Sequence, residues 1–256
     1  MGRKIALLLH GLVSGRNSKN RIVGGREATE AFRTKLIEKY DNVDVFFHGW
    51  KPDLTRNVNR GIDHAKLEQE LVEAYRPVDY IFEDLKEYPY MNASDWTQNM
   101  CSLFYSWKQV NDLKKKHEEN NKFKYDIVIH SRFDMTIEYL PDLEHLKPDF
   151  IYFTHRNRLQ ILDSWFIGSS ELMDLFGEMY DAIPHLYPIM RSKGMKHQML
   201  NHQVIEHYLK EKEVTDKLVM GLMKGGPTFS NRGKCGDQSK ESEWRPDPEK
   251  LAKYLE

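Results

Sequence analysis

The chain has 256 residues, enough to bury a full core without a metal or disulfide staple. Lys and Arg (38) almost balance Asp and Glu (39), leaving a formal net charge of -1, so no global field draws the chain to nucleic acid. Charged residues at 30% and aromatics at 12% exclude a disordered composition, and two cysteines, Cys101 and Cys235, exclude a disulfide framework or a zinc-spacing motif and fit a reducing compartment.

The first apolar run, Lys4 to His10, is too short for a signal peptide and lacks a small-residue cleavage site behind it, so it reads as a strand. The loop that follows, His10-Gly11-Leu12-Val13-Ser14-Gly15-Arg16-Asn17-Ser18-Lys19-Asn20-Arg21, puts permissive glycines and cations at that strand's carboxyl end. Phosphate oxygens can be held there by backbone N–H groups and by the forks of Arg16 and Arg21. The spacing is neither that of a P-loop nor Gly-x-Gly-x-x-Gly, and a flexible turn with solvated charges is the plain alternative. Ala28, Phe32, Leu36, Ile37 and Tyr40 then recur at helical spacing over Thr29 to Tyr40, and Val43 to His48 is the next strand, completing a βαβ unit.

Trp50 to Lys66 is polar and reads as a loop beside the cleft, with a strand at Val78 to Glu83 beyond it. A helix starts near Asp95, which can cap it together with Gln98. Its stripe of Met100, Leu103, Phe104, Trp107 and Val110 gives way to the charged run Lys114 to Glu119, read as a solvated end. Tyr125 to His130 is β-branched at Ile127, Val128 and Ile129 and stops abruptly in His130-Ser131-Arg132-Phe133-Asp134. That pattern fits a strand buried on both faces of an α/β sheet, where ligands bind beyond the carboxyl ends. His130, Arg132 and Asp134 are therefore candidate anion-site residues, and Asp134 a candidate for Mg²⁺ or Mn²⁺ with phosphate oxygens as further ligands. An Arg–Asp pair closing the strand end, and a buried hydrogen-bonded histidine, are the alternatives.

Strands at Phe150 to Thr154 and Ser164 to Ile167 follow. Ser169 and Ser170 can cap a helix bearing Leu172, Met173, Phe176, Met179 and Tyr180, and another helix spans His197 to Lys212. Asp163 precedes the second of these strands and is a candidate general base, while Trp165 can stack on a sugar ring or belong to the core. Residues 224 to 256 read as a loop-rich tail, with a short helix at Pro248 to Leu255. Alternating strands and helices predict an α/β fold with a mostly parallel sheet flanked by helices. No apolar stretch reaches membrane-spanning length, so a cytoplasmic protein is expected, with neither a membrane span nor a nucleic-acid partner.

Tyr125-Asp126-Ile127-Val128-Ile129-His130-Ser131-Arg132-Phe133-Asp134 resembles the "YDIVIRxRxD" strand of small GT-A-like glycosyltransferases from bacterial glycan clusters and large DNA viruses. Asp163-Ser164-Trp165-Phe166-Ile167-Gly168-Ser169-Ser170 is similar to the block that follows it there. The resemblance covers roughly residues 4 to 210 and implies one catalytic domain over 1 to 223. Residues 1 to 134 would form a Rossmann-like nucleotide-sugar half and 135 to 223 a smaller acceptor half. It further implies transfer of a sugar from a nucleoside-diphosphate donor to a hydroxyl of a glycan or glycoprotein acceptor, with Mn²⁺ or Mg²⁺ at the donor diphosphate. Asp134 stands at the last carboxylate of the metal-binding Asp-x-Asp motif, and Arg132 stands where that motif has its first Asp. A non-catalytic nucleotide- or carbohydrate-binding protein and a nucleotidyltransferase remain as alternatives.

Overall fold

The structure, a computed structural model, describes residues 2–13, 26–54, 59, 61–88, 95–154, 163, 165–192 and 201–227. A mixed sheet runs through its centre in the order β3-β2-β1-β4-β7-β6-β8-β5. β1 (Ile5–Leu12), β2 (Val43–Trp50), β3 (Asp79–Glu83) and β4 (Ile127–Arg132) are mutually parallel. β7 (Trp165–Gly168) runs antiparallel to both β4 and β6 (Ile151–Thr154). β8 (Leu218–Pro227) pairs in parallel with β6 through its first half and antiparallel with β5 (Met135–Tyr139) through its second.

Helices cover both faces because the strands are apolar on both. Along β1, Ala6 and Leu8 join one buried cluster while Ile5, Leu7 and Leu9 join the other, and in β4 Val128 is separated from Ile127 and Ile129 in the same way. The first face is packed by α3 (Asp95–Asn121), α4 (Ser170–Ser192) and α5 (Asn201–Glu211), through Phe104, Trp107, Phe176 and Val204 among others. The second is packed by α1 (Arg26–Phe32), the π-helical turn Arg33–Ile37 that continues it, and α2 (His64–Tyr75), through Phe32, Leu36, Leu71 and Tyr75. An α/β fold with a mostly parallel, helix-flanked sheet is therefore what the chain adopts. Among the described residues no helix is long and apolar enough to cross a membrane.

Four local expectations need correction. The polar stretch after β2 ends in a helix rather than running on as a loop: the Asp63 side chain accepts from the N–H groups of Ala65 (3.0 Å) and Lys66 (3.2 Å) and starts α2. Gln98 does not take part in a capping box, because its amide is bonded to both backbone groups of Tyr88, at 2.9 and 3.0 Å. The tail expected from residue 224 begins instead as strand, since Lys224 to Pro227 pair with β5. The charged run closing α3 is not all solvated either, for Lys114 and Glu118 are fully buried. The short helix expected at Pro248 to Leu255, and His197 at the start of the last expected helix, lie outside the described residues.

α3 and α4 approach closely at Gly177, where a Cβ would stand 2.8 Å from Asn111 Cβ and 2.9 Å from its Cγ. Helix propensity alone favours alanine over glycine by about 1 kcal/mol. Overlap with atoms fixed to the α3 backbone outweighs that gain, so Gly177→Ala is expected to destabilise the fold by about 1–3 kcal/mol. Urea denaturation checks this, and a stabilised variant would contradict the close packing.

Candidate functional site

The sheet has a topological switch point between β1 and β4. The chain leaves β1 toward β2 and β3 on one side, then crosses back through α3 to place β4 on the other. Loops diverge at such a point and leave a crevice at the carboxyl ends of the strands, where ligands of open α/β sheets bind. In the ladder His10 lies beside Arg132, so Gly11, one residue further, stands at the rim. Gly11 has φ near 100°, which requires glycine, and among the described residues a Cβ there would meet nothing within 4 Å.

Arg132 and Asp134 are paired. Arg132 Nε donates to Asp134 Oδ1 at 2.8 Å and its Nη2 donates to Oδ2, a two-pronged fork across the turn Phe133–Asp134. The Asp134 side chain is the inner partner, 1% exposed, and the Arg132 side chain as a whole the outer one, 30% exposed. Burial opposes the guanidinium charge, but the Asp134 and Asp163 carboxylates outweigh it and raise the Arg132 pKa. Asp163 is thus brought into the field of Arg132 from a segment some thirty positions later in the chain, as a candidate base must be. Its Oδ2 accepts from Asn201 Nδ2 of α5 at 2.9 Å.

His10 and His130 lie under this rim and not in it. Both are fully buried on the α3 face, with ring centres 5.6 Å apart. Trp107 Nε1 donates to His10 Nε2 at 3.0 Å, which makes Nε2 the acceptor and puts the imidazole proton on Nδ1, an atom with no partner. Neither nitrogen of His130 has a partner. Burial first, then the charge of Lys114, brings the His130 pKa down to about 3. His10 is held well below the usual range by burial, then by His130, Arg132 and His48. Two neutral buried rings offer an anion no cationic contact at this depth. Trp165 is likewise fully buried, in the core on the other face, so it has no open ring face on which a sugar can stack. Arg16 and Arg21 lie outside the described residues.

A hydrogen-bond chain beside the crevice was not anticipated from the sequence. Gly11 N–H donates to Ser106 Oγ at 3.2 Å, Ser106 Oγ lies 2.6 Å from His48 Nδ1, and His48 Nε2 lies 2.9 Å from Glu83 Oε1. With His48 neutral, the hydroxyl donates to Nδ1 and Nε2–H donates to the carboxylate, so the chain runs in one direction from the rim to the end of β3. Burial lowers the His48 pKa against the opposing pull of Glu83. The runs Val43 to His48 and Val78 to Glu83 stop at these residues in the sequence as Lys4 to His10 stops at His10, and the carboxyl-end rule applied to every such run would have found them.

These three histidines set an acid limit on stability. Unfolded, each titrates near pH 6.5; folded, each stays neutral to lower pH, His130 to about 3. The unfolded chain therefore binds more protons in that window, so the contribution is complete above about pH 6.5 and is lost as pH falls, by up to about 1.4 kcal/mol per pH unit for each histidine. Urea unfolding between pH 7.5 and 5 is expected to show the loss, with a shallower slope in His130→Leu. An unchanged slope in that variant would contradict the account.

The described residues around Asp134 do not by themselves make a divalent-metal centre. Among the described residues no three His, Cys, Asp or Glu side chains converge as a cation site. Both oxygens of Asp134 are engaged by an arginine, so a dication seated on that carboxylate would meet the guanidinium at close range. No protein-family model matches the chain, and no curated protein matches it.

Proposed function

We propose that the protein is a glycosyltransferase that moves a sugar from a nucleoside-diphosphate donor to a hydroxyl acceptor, with the donor in the crevice between the carboxyl ends of β1 and β4. The observation that carries this reading is the grouping of Gly11 and Arg132 at the switch point with Asp163 just ahead of β7, whose Trp165 pairs with Ser131 of β4. An open glycine rim suits close approach of a diphosphate to backbone. A fixed guanidinium suits its charge. A carboxylate close to that guanidinium suits removal of a proton from the incoming hydroxyl. The resemblance of the β4 segment and of the Asp163 block to GT-A-like enzymes points the same way, and the observed sheet is compatible with a Rossmann-like nucleotide half.

The reaction follows from these placements. The acceptor oxygen attacks the anomeric carbon and its proton passes to Asp163. The bond from that carbon to the diphosphate oxygen breaks, and its electron pair leaves on the diphosphate as negative charge, which the Arg132 guanidinium stabilises. The buried Arg132–Asp134 pair also favours a second reading, a nucleotide- or carbohydrate-binding protein in which that pair is structural.

Incubation with a panel of nucleotide sugars, followed by ³¹P NMR and mass spectrometry, separates the possibilities. Release of nucleoside diphosphate with a glycosylated or hydrolysed product is the expected result. Pyrophosphate would identify a nucleotidyltransferase, and an unaltered donor that nonetheless binds would identify the non-catalytic protein.

A further inference from the structure

The Arg132–Asp134 fork has a geometry that bears on how the donor's charge is met. Asp134, 1% exposed, sits inside the turn and gives both oxygens to Arg132. A guanidinium has five N–H donors in a rigid plane, and the fork uses two of them, on Nε and Nη2. The orientation of the plane is thereby fixed by a buried carboxylate, while the side chain stays 30% exposed. The Nη1 edge is the one the fork leaves for another anion.

The place it occupies is equally specific. The β1–β4 register sets Arg132 against His10, immediately before Gly11 with its open Cβ direction. His10 and His130 remain neutral beneath it, so of these three groups the guanidinium alone brings positive charge to the rim. In sequence the arginine and the aspartate stand two apart, as the two carboxylates of an Asp-x-Asp motif do, with a cation at the first position and the carboxylate that holds it at the second.

Resting on the nucleotide-sugar reading above, we infer that Arg132 takes the place of a divalent ion: its guanidinium, oriented by Asp134, receives the donor's diphosphate, and donor binding needs no metal. Arg132 is then a substrate-contacting residue and Asp134 a positioning residue. An arginine fork matches phosphate oxygens bidentately, whereas a lysine gives a point charge and cannot keep two parallel bonds to Asp134 while presenting a planar edge outward.

The test is calorimetric titration of the full chain with uridine, guanosine, adenosine, cytidine and thymidine diphosphates, in EDTA and separately in Mg²⁺ or Mn²⁺. One diphosphate is expected to bind in EDTA within about threefold of its affinity in metal, and to bind more tightly than its free nucleoside. In Arg132→Lys that advantage over the nucleoside is expected to shrink by about tenfold or more. If Arg132→Lys does not fold, as judged by circular dichroism, the EDTA comparison on the unaltered protein decides alone. Binding that appears only with metal overturns the inference and leaves the nucleotide-sugar reading standing. Absence of binding to any diphosphate in either buffer removes that reading, and the inference with it.

Discussion

Replacing Asp163 by asparagine is expected to lower the turnover number for sugar transfer by about 10²–10⁴-fold while leaving donor affinity nearly unchanged. The substitution is close to isosteric. The amide oxygen can still accept from Asn201 Nδ2, which bonds Asp163 Oδ2 at 2.9 Å, so the tie to α5 survives. What disappears is the only basic atom the side chain offers an acceptor hydroxyl, and with it one negative charge near Arg132. Initial rates at saturating donor, paired with donor titrations, separate the two effects. A variant with an unaltered rate would make Asp163 a structural partner of Asn201 and would move the acceptor-side base elsewhere.

Lys114→Ala is expected to lower the unfolding free energy by about 3–5 kcal/mol, because it takes the one fully buried cation from between Glu118 and Asp174 and leaves them only the more exposed Lys124 and Lys115. Lys114 Nζ lies 2.7 Å from Asp174 Oδ1 and 3.4 Å from Glu118 Oε2, and it also donates to Ser170 Oγ. Glu118 in turn accepts from Ser170 Oγ at 2.6 Å and from the N–H of Tyr125 at 3.0 Å, so one network ties α3 to the start of α4 and to the approach to β4. Burial pushes the Glu118 carboxyl up, yet the Ser170 and Tyr125 donors and the Lys114 and Lys124 charges outweigh it and lower its pKa. Lys114→Met combined with Glu118→Gln is expected to cost less than the sum of the single changes, since it removes both charges together. Denaturant unfolding of Lys114→Ala, of Lys114→Met and Glu118→Gln singly, and of the double variant checks both statements. A loss under about 1 kcal/mol for Lys114→Ala would contradict the view that this network is a buried, interdependent unit.

The same residues show why sequence pattern reads some of this fold and not the rest. β1, β2, β4 and β7 are short apolar runs that stop at polar residues, and burial on both faces is the physical reason for such runs. Lys114 and Glu118 sit four apart in a charged run, the usual mark of a solvated helix face. Only the packing of α4 across α3 places them inside, and that contact is not local in sequence. The Lys-Gly-Gly-Pro end of β8 has the weakest strand propensity in the sheet, and pairing with β5 alone makes it a strand. α2 was obscured by its many polar residues, although Asp63 before it and Leu67, Leu71 and Tyr75 at four-residue spacing carry the signal.

In the site, the two-residue spacing of Arg132 and Asp134 gave their common side directly. The neutrality of His10 and His130 was not legible, because it depends on α3 lying over them. The closeness of Asp163 to Arg132 depends on β7 returning antiparallel beside β4.

The most direct measurement of the central claim is an amide NMR titration of the ¹⁵N-labelled protein with a panel of nucleoside-diphosphate sugars. The account predicts that the sugar nucleotide that binds perturbs residues 10–13 and 131–135 first and most strongly, with the amides around Asp163 following. Perturbations confined to the hollow between α4 and α5 at His185, His207 and Glu211, or to the amino ends of β1 and β4 at Arg3, Lys124 and Glu171, would contradict it.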